Sequence, residues 1–103
     1  MLTPHQTDEK LMLKLDGELT IYEARNLFEQ LTPFVSHSEK IAIELSQVTA
    51  LDSSCVQVLM AFKKARIEQG CELIHHSEVV VDVLGKLGLV GWFHDPIVLS
   101  SSQ

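Results

Sequence analysis

The sequence predicts an α/β protein, a mainly parallel or mixed sheet of four to five strands packed with three to four helices. Three observations carry that prediction. The apolar residues pass three times from the two-residue alternation of a half-buried strand to the three- and four-residue steps of an amphipathic helix. Gly17, Gly70 and Gly88 stand at the ends of these periodic segments, where chain reversals favour glycine. Each helical pattern also lies between two strand patterns, the order that joins parallel strands by right-handed crossovers. At 103 residues, 46% of them apolar, the chain can build one core and is too short for two, so a single domain over residues 1–103 is expected.

The elements follow in order. "TPHQTDE" predicts an edge strand closed by a turn near Asp8, because Pro4 lacks the N–H an inner strand would need. "KLMLKLD", residues 10 to 16, puts Leu11, Leu13 and Leu15 on one side and ends at Gly17. From Thr20, the apolar positions Ile21, Ala24, Leu27, Phe28, Leu31 and Phe34 predict a helix, with Thr20 and Glu23 spaced as a capping box. "KIAIEL" alternates at Ile41, Ile43 and Leu45, a second firm strand, and "SQVTAL" carries the chain onward. A helix is expected from Ser53 to Gln69, ended by Gly70, with Val56, Leu59, Met60, Lys63 and Ile67 along one stripe. "CELIHH" reads as a third strand, and Val79, Val80, Val83, Leu84 and Leu87 as a third helix stopping at Gly88. "PIVLS" predicts a short last strand, Trp92 and Phe93 a closure of the core, and "SSSQ" a frayed tail.

Composition excludes several functions. Fourteen acidic against eight basic residues leave a net charge of −6, which repels phosphate backbones, so no nucleic-acid partner is expected. The densest basic group, Lys63, Lys64 and Arg66, reads as a solvated helix face. Cys55 and Cys71 form neither a CxxC pair nor a disulfide framework and read as free thiols. No basic segment leads into an apolar run, and no stretch approaches the roughly 18 apolar residues of a membrane span, which predicts a soluble cytoplasmic protein without membrane insertion. His75 and His76, adjacent on a strand, would point to opposite faces and chelate poorly; His5, His37 and His94 share no ligand-like spacing with them. No metal or cofactor is expected. The phosphate loop GxxxxGK[ST], GxGxxG and the GxSxG nucleophile elbow are all missing, so no catalytic residues are expected and the protein reads as a non-enzyme.

The informative stretch is "ALDSSCVQVLM", residues 50 to 60. If a helix opens at Ser53 or Ser54, its unpaired amides and dipole favour an anion there. From spacing alone the simpler reading is that Asp52 caps the helix and both serines are tolerated in its first turn. Cys55 could act as a thiol of lowered pKa, but burial as a small apolar residue fits better, since no base or resolving cysteine lies nearby in sequence. Glu18, in "DGELT", is expected in a strand-to-helix loop near the same sheet end.

"LDSSCVQVLMAFKKA", with "IAIELSQVTA" before it, "LDGELT" near the start and "SEVVVDVLGKLGL" after, resembles the STAS family of sulfate-transporter and anti-sigma-factor-antagonist domains, over about residues 9 to 95. The resemblance implies a stand-alone STAS domain that binds a protein partner and is phosphorylated on the second serine of an Asp-Ser-Ser-Gly motif. That role falls on Ser54, with Ser53 as the fallback. It further implies an anti-sigma-type serine kinase and a PP2C-like phosphatase as partners. The partner face would comprise Asp52, Ser53, Ser54, Cys55, Gln57, Val58 and Glu18, and a homodimer is possible. The chain departs from the pattern at Cys55, where the family commonly has Gly. A second implied role is a constitutive accessory subunit of a lipid-transport ABC system, in which the same helix is a docking face.

Overall fold

The computed structural model describes residues 2–89. The expectations for Trp92, Phe93, "PIVLS" and the terminal serines lie outside the described residues. Four strands and three helices follow one another: β1 (Leu2–Gln6), β2 (Lys10–Leu19), α1 (Ile21–Leu31), β3 (Lys40–Leu51), α2 (Ser53–Ala65), β4 (Cys71–Ile74) and α3 (Glu78–Lys86), with a 3-10 turn at Thr32–Phe34 after α1. The sheet order is β1-β2-β3-β4, with β1 antiparallel to β2 and the other pairs parallel. The fold is the mixed α/β sheet that the alternating periods predict.

β1 is an edge, which is why Pro4 can pair opposite Leu13. The turn after it is tied by Thr7, whose amide and hydroxyl both donate to the Lys10 carbonyl at 2.9 and 2.8 Å. β2, β3 and β4 advance across the sheet in one direction, so right-handed crossovers put α1 and α2 on the same face, where they pack together. Leu13 and Leu15 of β2, Ile43 and Leu45 of β3, Leu27 and Leu31 of α1, and Leu59 and Phe62 of α2 fill one core that also takes in Val80 and Leu84 of α3.

Both central strands run further than expected. β2 continues through Gly17 to Leu19 and β3 through "SQVTAL" to Leu51, because two bulges separate Lys14 from Asp16 and Gly17 from Glu18 in the β2–β3 register. Lys14 pairs with Glu44 but Asp16 with Gln47, and Gly17 pairs with Val48 but Glu18 with Ala50, so β3 gains one residue at each step. The buried positions of β3 accordingly shift from Ile41, Ile43 and Leu45 to Val48 and Leu51. Gly17 stands beside the second bulge with φ of +85°, a conformation that a residue with a Cβ resists.

The helices differ from expectation at their margins. In α1 only Leu27 and Leu31 are buried; Ile21 is 62% and Phe28 56% exposed. Thr20 holds the N-cap position without a side-chain cap, because the Glu23 amide that a capping box would use donates to the Thr20 carbonyl at 2.8 Å. α2 stops at Ala65 rather than Gln69, leaving Ile67 81% exposed. β4 stops at Ile74, because His75 turns to φ +54°; His75 is exposed and His76 buried. α3 ends as predicted: Gly88, at φ +69°, donates to Gly85 and Leu89 to Leu84, the paired bonds of a Schellman motif. Its N-cap Ser77 accepts from the Val80 amide and donates to the Val48 carbonyl at 2.8 Å, fastening α3 to β3.

The largest departure concerns the basic group. Lys64 is exposed, but the half-buried Lys63 donates Nζ to the Cys71 carbonyl, and Arg66 is fully buried. The Arg66 guanidinium donates to five carbonyls: Phe34 at 3.0 Å, Val35 at 3.1 Å, His37 at 2.8 Å, Glu39 at 2.7 Å, and Gly70 at 3.3 Å from Nε and 3.2 Å from Nη2. It draws the α1–β3 connection, the end of α2 and the start of β4 into one knot, and desolvation lowers its pKa below the ordinary guanidinium value. Arg66→Ala, which strands these acceptors, is expected to lower stability in urea unfolding by about 3–5 kcal/mol. Arg66→Lys, unable to span the same carbonyls, should recover less than half of that loss. Lys64→Ala should stay within about 0.5 kcal/mol of the parent; equal effects at positions 64 and 66 would contradict the assignment.

Candidate functional site at the start of the second helix

β3 delivers its last residue, Leu51, to the same sheet end as Leu19 of β2, and the Asp52 amide donates to the Leu19 carbonyl at 3.1 Å. Asp52 is extended (φ −116°, ψ 174°) and is the N-cap of α2. Its Oδ1 accepts from the Ser54 amide at 3.1 Å and the Cys55 amide at 3.4 Å, while its carbonyl accepts from Val56 at 3.1 Å. The cap is therefore the carboxylate. Two amides that the sequence offered to an anion are already occupied by one, so a phosphate on Ser54 would sit beside a carboxylate rather than on free N–H groups.

Helical geometry then sorts the side chains. Ser53 and Gln57 are exposed, and Asp52, Ser54 and Val58 are half-buried, with Val58 one turn below Ser54 on the same face. Cys55 does not belong to that outer face. It is 0% exposed, and its Sγ donates to the Thr20 carbonyl at 3.3 Å, tying α2 to the start of α1. Burial, with smaller contributions from the nearby Asp52 and Glu23 carboxylates, pushes the thiol pKa from 9.0 to about 11. At neutral pH the thiol stays protonated, the opposite of an activated nucleophile.

Glu18 is exposed but lies in β2, paired with Ala50 just past the second bulge, not in a loop; the bulges prolong the strand past Gly17. With Asp16, Thr20, Tyr22 and Glu23 it lines an open bowl of about 400 Å³. The bowl adjoins the start of α2, since Thr20 touches Cys55 and both Glu23 and Asp52 act on the Cys55 thiol. The sequence placed Glu18 in a strand-to-helix loop near this sheet end and Asp16 at the end of a strand; the bowl brings both beside Glu23. Among the described residues no group of three or more His, Cys, Asp or Glu side chains is placed to hold a metal ion, and no helix is long and apolar enough to cross a membrane.

Residues 2–94 match the family model described as "Mlab, STAS domain". Among solved structures, the chain is similar to an anti-sigma factor antagonist from Mycobacterium paratuberculosis, at 21% identity and a TM-score of 0.80, covering 94% of this chain and 83% of that one. It is also similar to the anti-sigma factor antagonist SpoIIAA in its unphosphorylated form, at 17% identity and a TM-score of 0.73, covering 99% and 90% of the two chains. The Bacillus cell fate determinant SpoIIAA in its phosphorylated form matches at 16% identity and a TM-score of 0.67, covering 99% and 93%. At these identities the likeness shows a shared fold.

The raised thiol pKa has a definite pH signature. An unfolded Cys55 ionises near 9.0 and the folded one near 11, so its contribution is intact below about pH 9 and is lost as pH rises to about 11. Relative to Cys55→Ala, the parent should lose about 2–3 kcal/mol of stability across that window, measured by urea unfolding at a series of pH values. Parallel curves for the two proteins would refute the assignment. Separately, Asp52→Ala should cost about 1 kcal/mol through the lost cap.

Proposed function

The chain belongs to the Mlab, STAS domain family, and from that premise we propose that it is a non-catalytic protein-binding switch of the anti-sigma-factor-antagonist kind, toggled by phosphorylation at Ser54. The observation that carries this reading is the placement of Ser54: half-buried on the first turn of α2, one turn above Val58, on the outer face that it shares with exposed Ser53 and Gln57. The partners the reading implies are an anti-sigma-type serine kinase and a PP2C-like phosphatase, acting in the cytoplasm. The same fold carries SpoIIAA, whose structures include a phosphorylated form.

Phosphorylation would add about −1.5 to −2 charges at neutral pH. Because Asp52 holds the Ser54 and Cys55 amides, the phosphate would project outward beside the Asp52 carboxylate rather than onto those amides. A partner packed on Ser54 and Val58 would then bury an unpaired dianion, a cost far above the gain from an ordinary apolar contact, unless it supplied Arg or Lys. The switch thus works by altering docking, not by refolding this domain. Cys55 in place of glycine leaves the face open, since its side chain points inward. Ser53, exposed at the first helical position, is the fallback acceptor.

A second reading, a constitutive accessory subunit of a lipid-transport ABC system, is favoured by the same capping observation. A helix start whose amides are already satisfied can dock permanently without any phosphate. The two readings part on one experiment. After treatment with an anti-sigma-type serine kinase, tandem mass spectrometry should place phosphate on Ser54, and Ser54→Asp and Ser54→Ala should differ at least tenfold in partner affinity by calorimetry. Equal affinities would remove the switch and leave the constitutive subunit.

A further inference from the structure

α2 carries two stripes one residue apart. Cys55, Leu59, Phe62 and Arg66 are buried, whereas Ser54, Val58, Ala61 and Ala65 are half-buried or exposed on the outside. The outer stripe therefore begins at Ser54, and the fate of a phosphate there depends on the amides around it. Of the four amides from Ser53 to Val56, Asp52 holds three: its Oδ1 accepts from Ser54 at 3.1 Å and Cys55 at 3.4 Å, and its carbonyl accepts from Val56 at 3.1 Å. The first turn of α2 contributes no acidic residue and its bases, Lys63 and Lys64, stand in the last turn, so the helix offers nothing at this end to neutralise the Asp52 carboxylate. From α1, Glu23 brings a second carboxylate, which acts with Asp52 on the Cys55 thiol.

A phosphate at a helix start ordinarily turns back onto the nearest amides in charge-assisted bonds, and one of those amides here belongs to Ser54 itself. The carboxylate is there first. Asp52 is fixed by its own amide, which donates to the Leu19 carbonyl at 3.1 Å, so it caps the helix without losing further freedom. A phosphate that displaced it would have to shed water and still lie beside a like charge. We propose that Asp52 is a positioning residue for the Ser54 phosphate: by retaining the Ser54 and Cys55 amides, it prevents the phosphate from capping its own helix and leaves the added charge to the partner. The proposal rests on the reading of Ser54 as the phosphorylated residue. It gives Asp52 a part in the switch that capping alone does not require, because asparagine or serine would start the helix equally well.

The full chain with phosphoserine incorporated at position 54 during translation, without any kinase, provides the test, as the parent and with Asp52→Asn or Asp52→Ala. Asparagine keeps a capping oxygen and removes the charge; alanine removes both. In a phosphorus NMR titration, the parent phosphate should take up its second proton above the usual pKa of about 6, Asp52→Asn roughly half a pH unit or more below the parent, and Asp52→Ala lowest of the three. As pH rises, the amide protons of residues 54 and 55 should move downfield with the phosphate in Asp52→Ala and stay indifferent to it in the parent. A cap that mattered only for stability would leave the phosphate titration unchanged. One common phosphate pKa in the three proteins, or amides 54 and 55 that follow the phosphate in the parent, overturns the proposal. If Asp52→Ala folds poorly, the parent amides and the Asp52→Asn titration decide. Such a failure leaves the switch itself standing, since that reading is judged on kinase labelling and on the partner affinity of Ser54 variants.

Discussion

The Arg66 guanidinium is the constraint on which the placement of α2 depends. A buried cation is tolerable only if its donors are all met, and here carbonyls from two separate segments meet them: the α1–β3 connection and Gly70, which joins the turn after α2 to β4. The Gly70 carbonyl also accepts from the Ile41 amide at 3.4 Å and that of Phe34 from His37 at 3.1 Å, and Arg66 supplies further donors to these loop carbonyls, so cation and loops satisfy one another. The Lys63 bond to the Cys71 carbonyl adds a second tie at the same end. With its C-terminus fixed in this way, α2 cannot slide along the sheet without stranding several polar groups at once.

The N-terminus of α2 is fixed by a different set of bonds. Asp52 bridges β2 to α2 through its amide and its carboxylate, and the Cys55 thiol reaches back to Thr20. The side chain at position 55 is thus part of the anchoring, which explains how a cysteine can stand where relatives commonly have glycine: it fills a dry position and gains a weak hydrogen bond there. Anchoring at both ends makes the outer face of α2 a rigid platform. Rigidity matters for docking, because a pre-formed surface loses little conformational freedom when a partner binds.

Much of this architecture was legible in the sequence. The alternation of Leu11, Leu13 and Leu15 and of Ile41, Ile43 and Leu45 marked the paired centre of the sheet, and Gly88 marked the end of α3. The second half of β3 was not legible, because two bulges break the two-residue period, and "SQVTAL" then alternates with nothing. Arg66 was misread for a chemical reason: arginine is usually solvated, and grouping it with Lys63 and Lys64 outweighed its spacing. Yet Cys55, Leu59, Phe62 and Arg66 fall at steps of four, three and four, so periodicity alone already put the guanidinium on the buried stripe. At the site, Asp52 was readable as a cap. The acidic bowl was only partly readable: Glu18 was expected near this sheet end but in a loop, whereas the bulges keep it in β2, where it lines the bowl with Asp16 and Glu23.

The two stripes of α2 also explain why two serines follow the aspartate. The cap is made by Asp52, so neither hydroxyl is needed to start the helix, and both residues are released for other work. Ser53, at the first helical position, faces solvent; Ser54, at the second, begins the outer stripe that continues through Val58 to Ala61 and Ala65. A shift of one residue would place Ser54 on the inward stripe, where Cys55 is, and bury its hydroxyl beneath α1. The carboxylate cap therefore sets the phase of the helix as well as its beginning, and that phase keeps the Ser54 hydroxyl on the same outer stripe as Val58, Ala61 and Ala65.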